Sequence, residues 1–138
     1  MSKPYLEKSN QSMLAAEKLK SEHFFASTVN RAYYSCMQYI LHILTEKLTY
    51  PVEEILQTNM GTHVQAQKLL TNSLYQICKD DREKYIDYKW FQSKFPELKL
   101  ARVKADYNSA DISQDEGHEA IRKANDLITV LKKHYKHI

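Results

Sequence analysis

Glycine and proline are scarce in this sequence, with two and three residues in a chain of 138, whereas average usage of the two together is about 12%. An all-β fold needs turn residues every few positions, and collagen-like or Pro/Gly-rich disordered chains need many more of them. Gly61 and Gly117 also stand too far apart to form a phosphate-binding loop or a Rossmann fingerprint. The sequence therefore excludes these classes and favours a helical protein.

Long apolar runs and a dense basic patch are missing too. No apolar stretch approaches the roughly 18 residues that a membrane span requires, and the chain opens without a signal-peptide pattern. The net charge of +3 permits an anionic partner without requiring one, because dedicated nucleic-acid binders carry a denser basic patch. Cys36 and Cys78 stand among apolar residues, so we expect free core thiols in a reducing cytoplasm and no membrane contact.

Hydrophobic residues make up 43% of the chain, which is enough for a folded core, and the length fits one domain over residues 1–138. Apolar positions repeat at helical spacing in most of the sequence. The predicted helices span residues 5–19, 23–48, 62–78, 96–107 and 113–135, with a single turn at 51–56. Four to five main helices with short connections predict an all-α, up-and-down bundle.

Two of these helices carry a start signal in the sequence. Thr62 with Gln65 and Ser113 with Glu116 both have the spacing of a capping box, in which two side chains and two backbone N–H groups pair reciprocally. We therefore expect helices to open at both places.

Residues 85–95 are dense in aromatic side chains. Pro96 is expected to separate this segment from the helix that follows. The segment would then be a short helix or an ordered lid. Its aromatic residues either form a docking surface, since such residues favour interface cores, or fill the core of the bundle.

Arg31 lies opposite the centre of the apolar arc of the second helix. Its neighbours on that side are aromatic or hydrogen-bonding residues rather than alternating lysine and glutamate. They are Phe24, Ser27, Tyr34, Gln38 and His42. Such a strip suits a polar cleft or a second interface, and an ordinary exposed face fits the pattern as well.

Arg102 stands between two apolar faces of its predicted helix. The faces hold Leu98, Ala101 and Ala105 on one side and Leu100, Val103 and Tyr107 on the other. A partly buried arginine needs an anionic partner, because an unpaired buried charge costs several kcal/mol. Asp106, one turn on, predicts a structural ion pair. The alternative is a guanidinium positioned to bind a phosphate, which its planar fork does well.

The histidines could have structural, catalytic or metal-binding roles. His63 opens the predicted helix 62–78 on its inner face, where it either packs or hydrogen-bonds a tyrosine. A catalytic role would require a second proton-transfer group within reach. His134 and His137 have the spacing of a metal-ligand pair, but no further ligands are spaced to complete the site. We therefore expect a surface tail there, no metal and no cofactor.

Two motifs resemble the paired signatures of HEPN domains, which are small prokaryotic helical proteins first linked to nucleotide binding. The motifs are Asn30-Arg31-Ala32-Tyr33-Tyr34 and Arg102-x-x-Ala105-Asp106-Tyr107. The segment Thr62-His63-Val64 stands where the branch with the first motif places a Ser/Thr/Lys-His segment. The last helix, with Ala120 and Ala124 in its apolar stripe, extends the likeness over nearly the whole chain.

The resemblance implies a bundle of four to five helices that is commonly a homodimer and is often encoded beside a minimal nucleotidyltransferase as toxin and antitoxin. Catalytic relatives are metal-independent ribonucleases with an Arg-x(4–6)-His motif at the dimer cleft. None of the four arginines here is followed by histidine at that distance. Because the histidine would carry the proton in that chemistry, we expect little or no ribonuclease activity.

The leading hypothesis is a non-catalytic HEPN-like domain that binds a nucleotide, RNA or a nucleotidyltransferase partner in a toxin–antitoxin or defence context. The predicted nucleotide- or anion-binding residues are Asn30, Arg31, Tyr34, Arg102, Asp106 and Tyr107. One alternative is a metal-independent ribonuclease toxin with His63 as a stand-in base. Another is a purely structural or interaction dimer. The leading hypothesis requires the guanidinium groups of Arg31 and Arg102 to converge on one pocket.

Overall fold

The computed structural model describes residues 3–56 and 61–138. In these ranges the chain forms helices joined by short turns, with no β-strand. The α-helices are α1 (Pro4–Ser21), α2 (Phe25–His42), α3 (Val52–Leu56), α4 (Thr62–Cys78), α5 (Arg82–Tyr107) and α6 (Gln114–Tyr135). The described part of the chain thus has five long helices and one short one, which confirms the all-α, up-and-down bundle. Across those same residues, none of the helices has the length and apolarity needed to cross a membrane.

The helix α2 is the centre of the bundle and packs against α1, α5 and α6. Its arc of fully buried residues includes Ala32, Tyr33, Cys36 and Ile40, as the broad apolar pattern predicts. Fully burying an aliphatic or aromatic side chain contributes about 1.5–3 kcal/mol, so this arc fixes the rotation of α2 about its own axis. The opposite side of α2 is thereby turned toward the surface, with Arg31 on it.

The boundaries of α2 differ from the predicted range 23–48. His23 has a left-handed backbone (φ 65°) and belongs to the turn before the helix. The α-helix ends at His42 and continues as one π-turn, Ile43–Lys47. The N–H of Tyr50 then donates to the carbonyl of Leu44 at 2.9 Å, which closes the helical segment just before Pro51.

One of the two predicted capping boxes is present. Ser113 Oγ accepts a hydrogen bond from the N–H of Glu116 at 3.1 Å, and Glu116 Oε1 accepts one from the N–H of Ser113 at 3.2 Å. The prediction for Thr62 and Gln65 is wrong. Gly61 occupies the cap position with φ 88°, and no side chain caps the helix there, because Thr62 is already its first helical residue.

The predicted break at Pro96 is wrong as well, since α5 runs unbroken through it. A proline inside a helix costs about 3 kcal/mol and deprives the carbonyl four residues earlier of its donor. Phe91, Phe95 and Leu98 are buried on one face of α5, and that burial offsets the cost. With Tyr88, the two phenylalanines also show that the aromatic segment 85–95 mainly fills the core.

His134 does not lie in a surface tail, in contrast to the prediction. Its side chain is only 2% exposed, and its Nε2 lies 2.9 Å from Asp87 Oδ2 on α5. The reason is that the buried ring of Tyr135 holds the last turn of α6 against the bundle, where Asp87 of α5 faces the imidazole. His137 is exposed. The predicted free thiols are confirmed, since Cys36 and Cys78 are both buried and unbridged.

Substitution of Pro96 with alanine should stabilise the protein. Alanine supplies an N–H to the carbonyl of Gln92 and removes the clash of the proline ring, so we expect the free energy of unfolding to rise by about 1–3 kcal/mol. Urea unfolding followed by circular dichroism measures this change. Ser93→Ala, at an exposed position of the same helix, is the control and should change stability by only a few tenths of a kcal/mol, on the order of the propensity difference. A less stable P96A variant would contradict this account of α5.

Candidate functional site

Side chains from α2, α4 and α5 form one connected cluster, which we call the arginine network. Its members are Asn30, Arg31, Tyr33, Tyr34, His63, Arg102 and Asp106. On α2 the members form two pairs at a spacing of three residues, Asn30 with Tyr33 and Arg31 with Tyr34, and the members of each pair lie on one side of the helix. On α5, Arg102 and Asp106 are one helical turn apart and also share a side. His63 enters from the first turn of α4.

The polar half of the network joins the two arginines. Asn30 Oδ1 accepts hydrogen bonds from Nε and Nη2 of Arg31 at 3.1 and 2.9 Å. The amide nitrogen of Asn30 donates to Asp106 Oδ1 at 3.3 Å. The other carboxylate oxygen of Asp106 accepts from Arg102 Nη1 at 3.0 Å. An amide and a carboxylate therefore connect guanidinium groups that are far apart in the sequence.

The aromatic half of the network contacts both arginines and His63. The guanidinium carbon of Arg31 lies 5.0 Å from the ring centroid of Tyr34, and that of Arg102 lies 5.0 Å from the ring centroid of Tyr33. The imidazole of His63 packs against both tyrosine rings, with centroids 5.6 Å and 5.7 Å away. Its Nδ1 is 3.0 Å from the hydroxyl of Tyr33. Each arginine thus lies over an aromatic face, a geometry that attracts cations.

Burial and nearby charge set the protonation of the central pair. Burial is the largest cause that lowers the pKa of His63 from its ordinary 6.5, and the positive charges of Arg102 and Lys99 lower it further. Burial also raises the pKa of Tyr33 to about 12. At neutral pH both groups are uncharged. The local charge consequently comes from Arg31, Arg102 and Lys99 against the single carboxylate of Asp106 in the network.

An open cleft of about 480 Å³ lies beside the network. Its walls include Ser27, Asn30 and Arg31 from α2 and Asp106 from α5. Arg102 does not line this cleft. Its side chain is 21% exposed and covers Tyr33, and its Nε is buried without a hydrogen-bond partner. The prediction that both guanidinium groups converge on one pocket is therefore wrong, since the two arginines share a network but only Arg31 lines the cleft.

The structure brings together most of the predicted site residues. Asn30, Arg31, Tyr34, Arg102 and Asp106 are connected as described, whereas Tyr107 is 82% exposed and takes no part in the network. The predicted ion pair between Arg102 and Asp106 is confirmed, and so is the hydrogen bond between His63 and a tyrosine.

The prediction that two apolar faces enclose Arg102 is wrong. Leu100 and Tyr107, on the second face, are 69% and 82% exposed, while Leu98 and Ala105 on the first face are buried. Arg102 is partly covered because its guanidinium lies on the ring of Tyr33. Within residues 3–56 and 61–138, no three His, Cys, Asp or Glu residues are grouped so as to hold a metal ion.

Tyr33 belongs to the first motif but is not among the predicted binding residues. A buried tyrosine hydroxyl usually finds a hydrogen-bond partner, and a hydrogen bond to a tyrosine was one of the two structural roles predicted for His63. The two expectations together could have identified the pair. Lys99 carried no comparable signal, because its effect on His63 depends on how α4 and α5 pack.

Comparisons with protein-family models, with curated proteins and with solved structures found no match. What the network does must be inferred from its geometry and its motifs. Two guanidinium groups on aromatic faces, with one carboxylate between them, offer directed donors and net positive charge. The chemistry that this arrangement supports is anion binding.

The lowered pKa of His63 can be measured directly. We expect its imidazole to titrate below 6.5 in NMR spectra recorded against pH. Arg102→Gln should move the midpoint upward, because it removes a neighbouring positive charge. Since the folded-state pKa lies below the unfolded value, the stability linked to His63 is complete above about pH 6.5 and is lost as the pH falls toward the folded-state pKa.

The matched control for this titration is Arg122→Gln. Arg122 lies on α6, is exposed and pairs with Glu119, so its removal should leave the midpoint of His63 unchanged. A midpoint for His63 at or above 6.5 in the unaltered protein would contradict the burial and the nearby charges described for the imidazole.

Proposed function

We propose that this protein is a non-catalytic HEPN-like domain that binds the phosphate groups of a nucleotide or of RNA at the arginine network. The observation that carries the proposal is the connection of Arg31 and Arg102 through Asn30 and Asp106. The motif resemblance supports the same function independently, because both motifs contribute residues to this one network.

Arg31 is the residue best placed to bind the phosphate. Its hydrogen bonds go to the amide oxygen of Asn30, and among the ion pairs of the described residues it has no carboxylate partner. Its positive charge is thus available to an incoming anion. Because Arg31 also lines the cleft of about 480 Å³, a phosphate group can approach it from solvent.

Asp106 has a positioning role in this proposal rather than a binding one. A carboxylate repels phosphate, so Asp106 acts by orienting the two groups that donate to it, Arg102 and Asn30. An arginine held by a carboxylate keeps part of its guanidinium fork in a fixed direction. Arg102 thereby contributes directed charge to the site although it lies outside the cleft wall.

The absence of catalysis rests on the protonation and bonding of His63. General acid–base catalysis typically contributes about 10²–10⁴-fold, and the sequence has no Arg-x(4–6)-His motif to supply it. Nδ1 of His63 is engaged with Tyr33, and the lowered pKa makes the imidazole a poor proton carrier for a leaving group at neutral pH. The missing motif and the unprotonated imidazole leave no general acid for the leaving group, which favours a binding site over a ribonuclease.

The resemblance also supports a homodimer and a minimal nucleotidyltransferase partner in a toxin–antitoxin setting. The exposed apolar residues Leu100 and Tyr107 on α5 are consistent with a protein contact, since exposed apolar patches mark interaction surfaces. This part of the proposal concerns assembly and leaves the phosphate site unchanged.

Fluorescence anisotropy with labelled single-stranded RNA and with labelled ATP tests the phosphate site. We expect Arg31→Ala to weaken binding about tenfold or more, because a hydrogen bond to a charged group contributes about 1.5–3 kcal/mol. Arg102→Ala should weaken binding as well, because it removes a nearby positive charge and the hydrogen bond that it donates to Asp106. Arg122→Ala on α6 removes the same charge away from the network and should have little effect at moderate salt.

Circular dichroism of each variant verifies that the fold is intact, and the same RNA is incubated with the protein in EDTA to look for cleavage. Unchanged affinity in both network variants would refute the phosphate site. Cleavage of the RNA that disappears in His63→Gln would refute the non-catalytic part and favour the ribonuclease alternative.

A further inference from the structure

A second concave site lies between α4 and α5, outside the cleft of the arginine network. This α4–α5 groove has a volume of about 410 Å³, within the range of about 300–1,000 Å³ typical of small-molecule pockets. At its floor the rings of Phe91 and Phe95 stack parallel, with centroids 5.8 Å apart. Phe95 also packs against Tyr33 at 6.0 Å, so the floor of the groove adjoins the network without sharing its arginines.

The accessible apolar surface of the groove comes from its rims. Val64 on α4 is 40% exposed, and Pro96 on α5 is partly exposed, while the two phenylalanine rings beneath them are almost fully buried. Apolar side chains from two helices therefore face one concave space. A flat, largely apolar ligand would fill this space and would cover mainly apolar surface of the protein.

The polar surface of the groove consists mainly of neutral amides. Gln67 and Asn72 come from α4 and Gln92 from α5, and Lys68 is the single cation among the lining residues, which include no carboxylate. Asparagine and glutamine amides both donate and accept hydrogen bonds. They are the side chains that pair with two edge atoms of adenine, an N–H donor and a ring-nitrogen acceptor.

Pro96 adds a backbone acceptor to this set. Because proline has no N–H, the carbonyl of Gln92 lacks its ordinary helical donor and can accept a hydrogen bond from another group. Gln92 and Pro96 line the same groove. A ligand with an N–H group would supply the missing hydrogen bond, which gives the proline a role that its cost to α5 otherwise leaves unexplained.

We propose that the α4–α5 groove binds a nucleobase that carries an exocyclic amino group, such as adenine. The apolar rims accommodate the flat ring, the amides pair with its edge, and the Gln92 carbonyl accepts from its amino group. The site uses neither Arg31 nor Arg102, so it goes beyond the proposed phosphate site and does not depend on it.

NMR titration with adenosine, which has no phosphate, tests this proposal. We expect shifts at the backbone amides of Val64, Gln67 and Gln92. N6,N6-dimethyladenosine, which lacks the amino hydrogens, should bind roughly three- to tenfold more weakly, as a lost neutral hydrogen bond implies. Arg31→Ala should bind adenosine as the unaltered protein does.

The discriminating variant is Pro96→Ala, which restores the helical donor to Gln92 and is expected to be more stable than the unaltered protein. It should bind adenosine about threefold or more weakly, whereas Ser93→Ala should not. Gln67→Ala is a second variant that removes one amide of α4 and should also weaken binding.

Several results would overturn the nucleobase site. They are the absence of groove shifts up to the solubility limit of adenosine, equal binding of the dimethylated nucleoside, and unchanged affinity in both P96A and Q67A. Shifts caused equally by an unrelated flat aromatic compound would show an unspecific apolar groove. Loss of adenosine binding with intact phosphate binding rejects only the groove, and the reverse result rejects only the arginine network as a phosphate site.

Discussion

The carboxylate of Asp106 is the group on which the candidate site depends. It accepts hydrogen bonds from Arg102 on its own helix and from Asn30 on α2, and Asn30 in turn accepts two from Arg31. One negative charge therefore orients two positive ones that are distant in sequence. An exposed ion pair at this helical spacing stabilises a protein by only about 0.3–0.5 kcal/mol, so the main effect of Asp106 is on the direction of the guanidinium groups rather than on stability.

The buried arc of α2 makes this arrangement possible. Packing of the arc turns Tyr33 inward and leaves Tyr34 half-buried, so that each tyrosine ring supports one arginine. His63 fills the space between the rings as a neutral hydrogen-bonding group, since burial and the charge of Arg102 keep its pKa low. The core and the site are consequently built from the same few residues of α2, and the positive charge at the surface rests on an aromatic layer continuous with the core.

Much of this could be predicted from local patterns. Helical spacing indicated the bundle, and the one-turn separation of Arg102 and Asp106 indicated their ion pair. The contact between Asn30 and Asp106 joins positions 76 residues apart, and no periodicity encodes such a contact. The continuity of α5 through Pro96 was mispredicted for a related reason. Proline locally disfavours a helix, but the burial of α5 residues on both sides of Pro96 outweighs this preference. His134 was misplaced because its partner Asp87 lies on another helix.

The central claim is that Arg31 and Arg102 act as one unit, and a double-mutant cycle on RNA affinity measures this most directly. Residues in one hydrogen-bond network typically couple by about 0.5–3 kcal/mol, whereas distant residues add. The combined loss in the double variant R31A/R102A should therefore be smaller than the sum of the two single losses by at least about 0.5 kcal/mol. A cycle of Arg31 with Arg122 on α6 should be additive. Strict additivity between Arg31 and Arg102 would contradict a shared site.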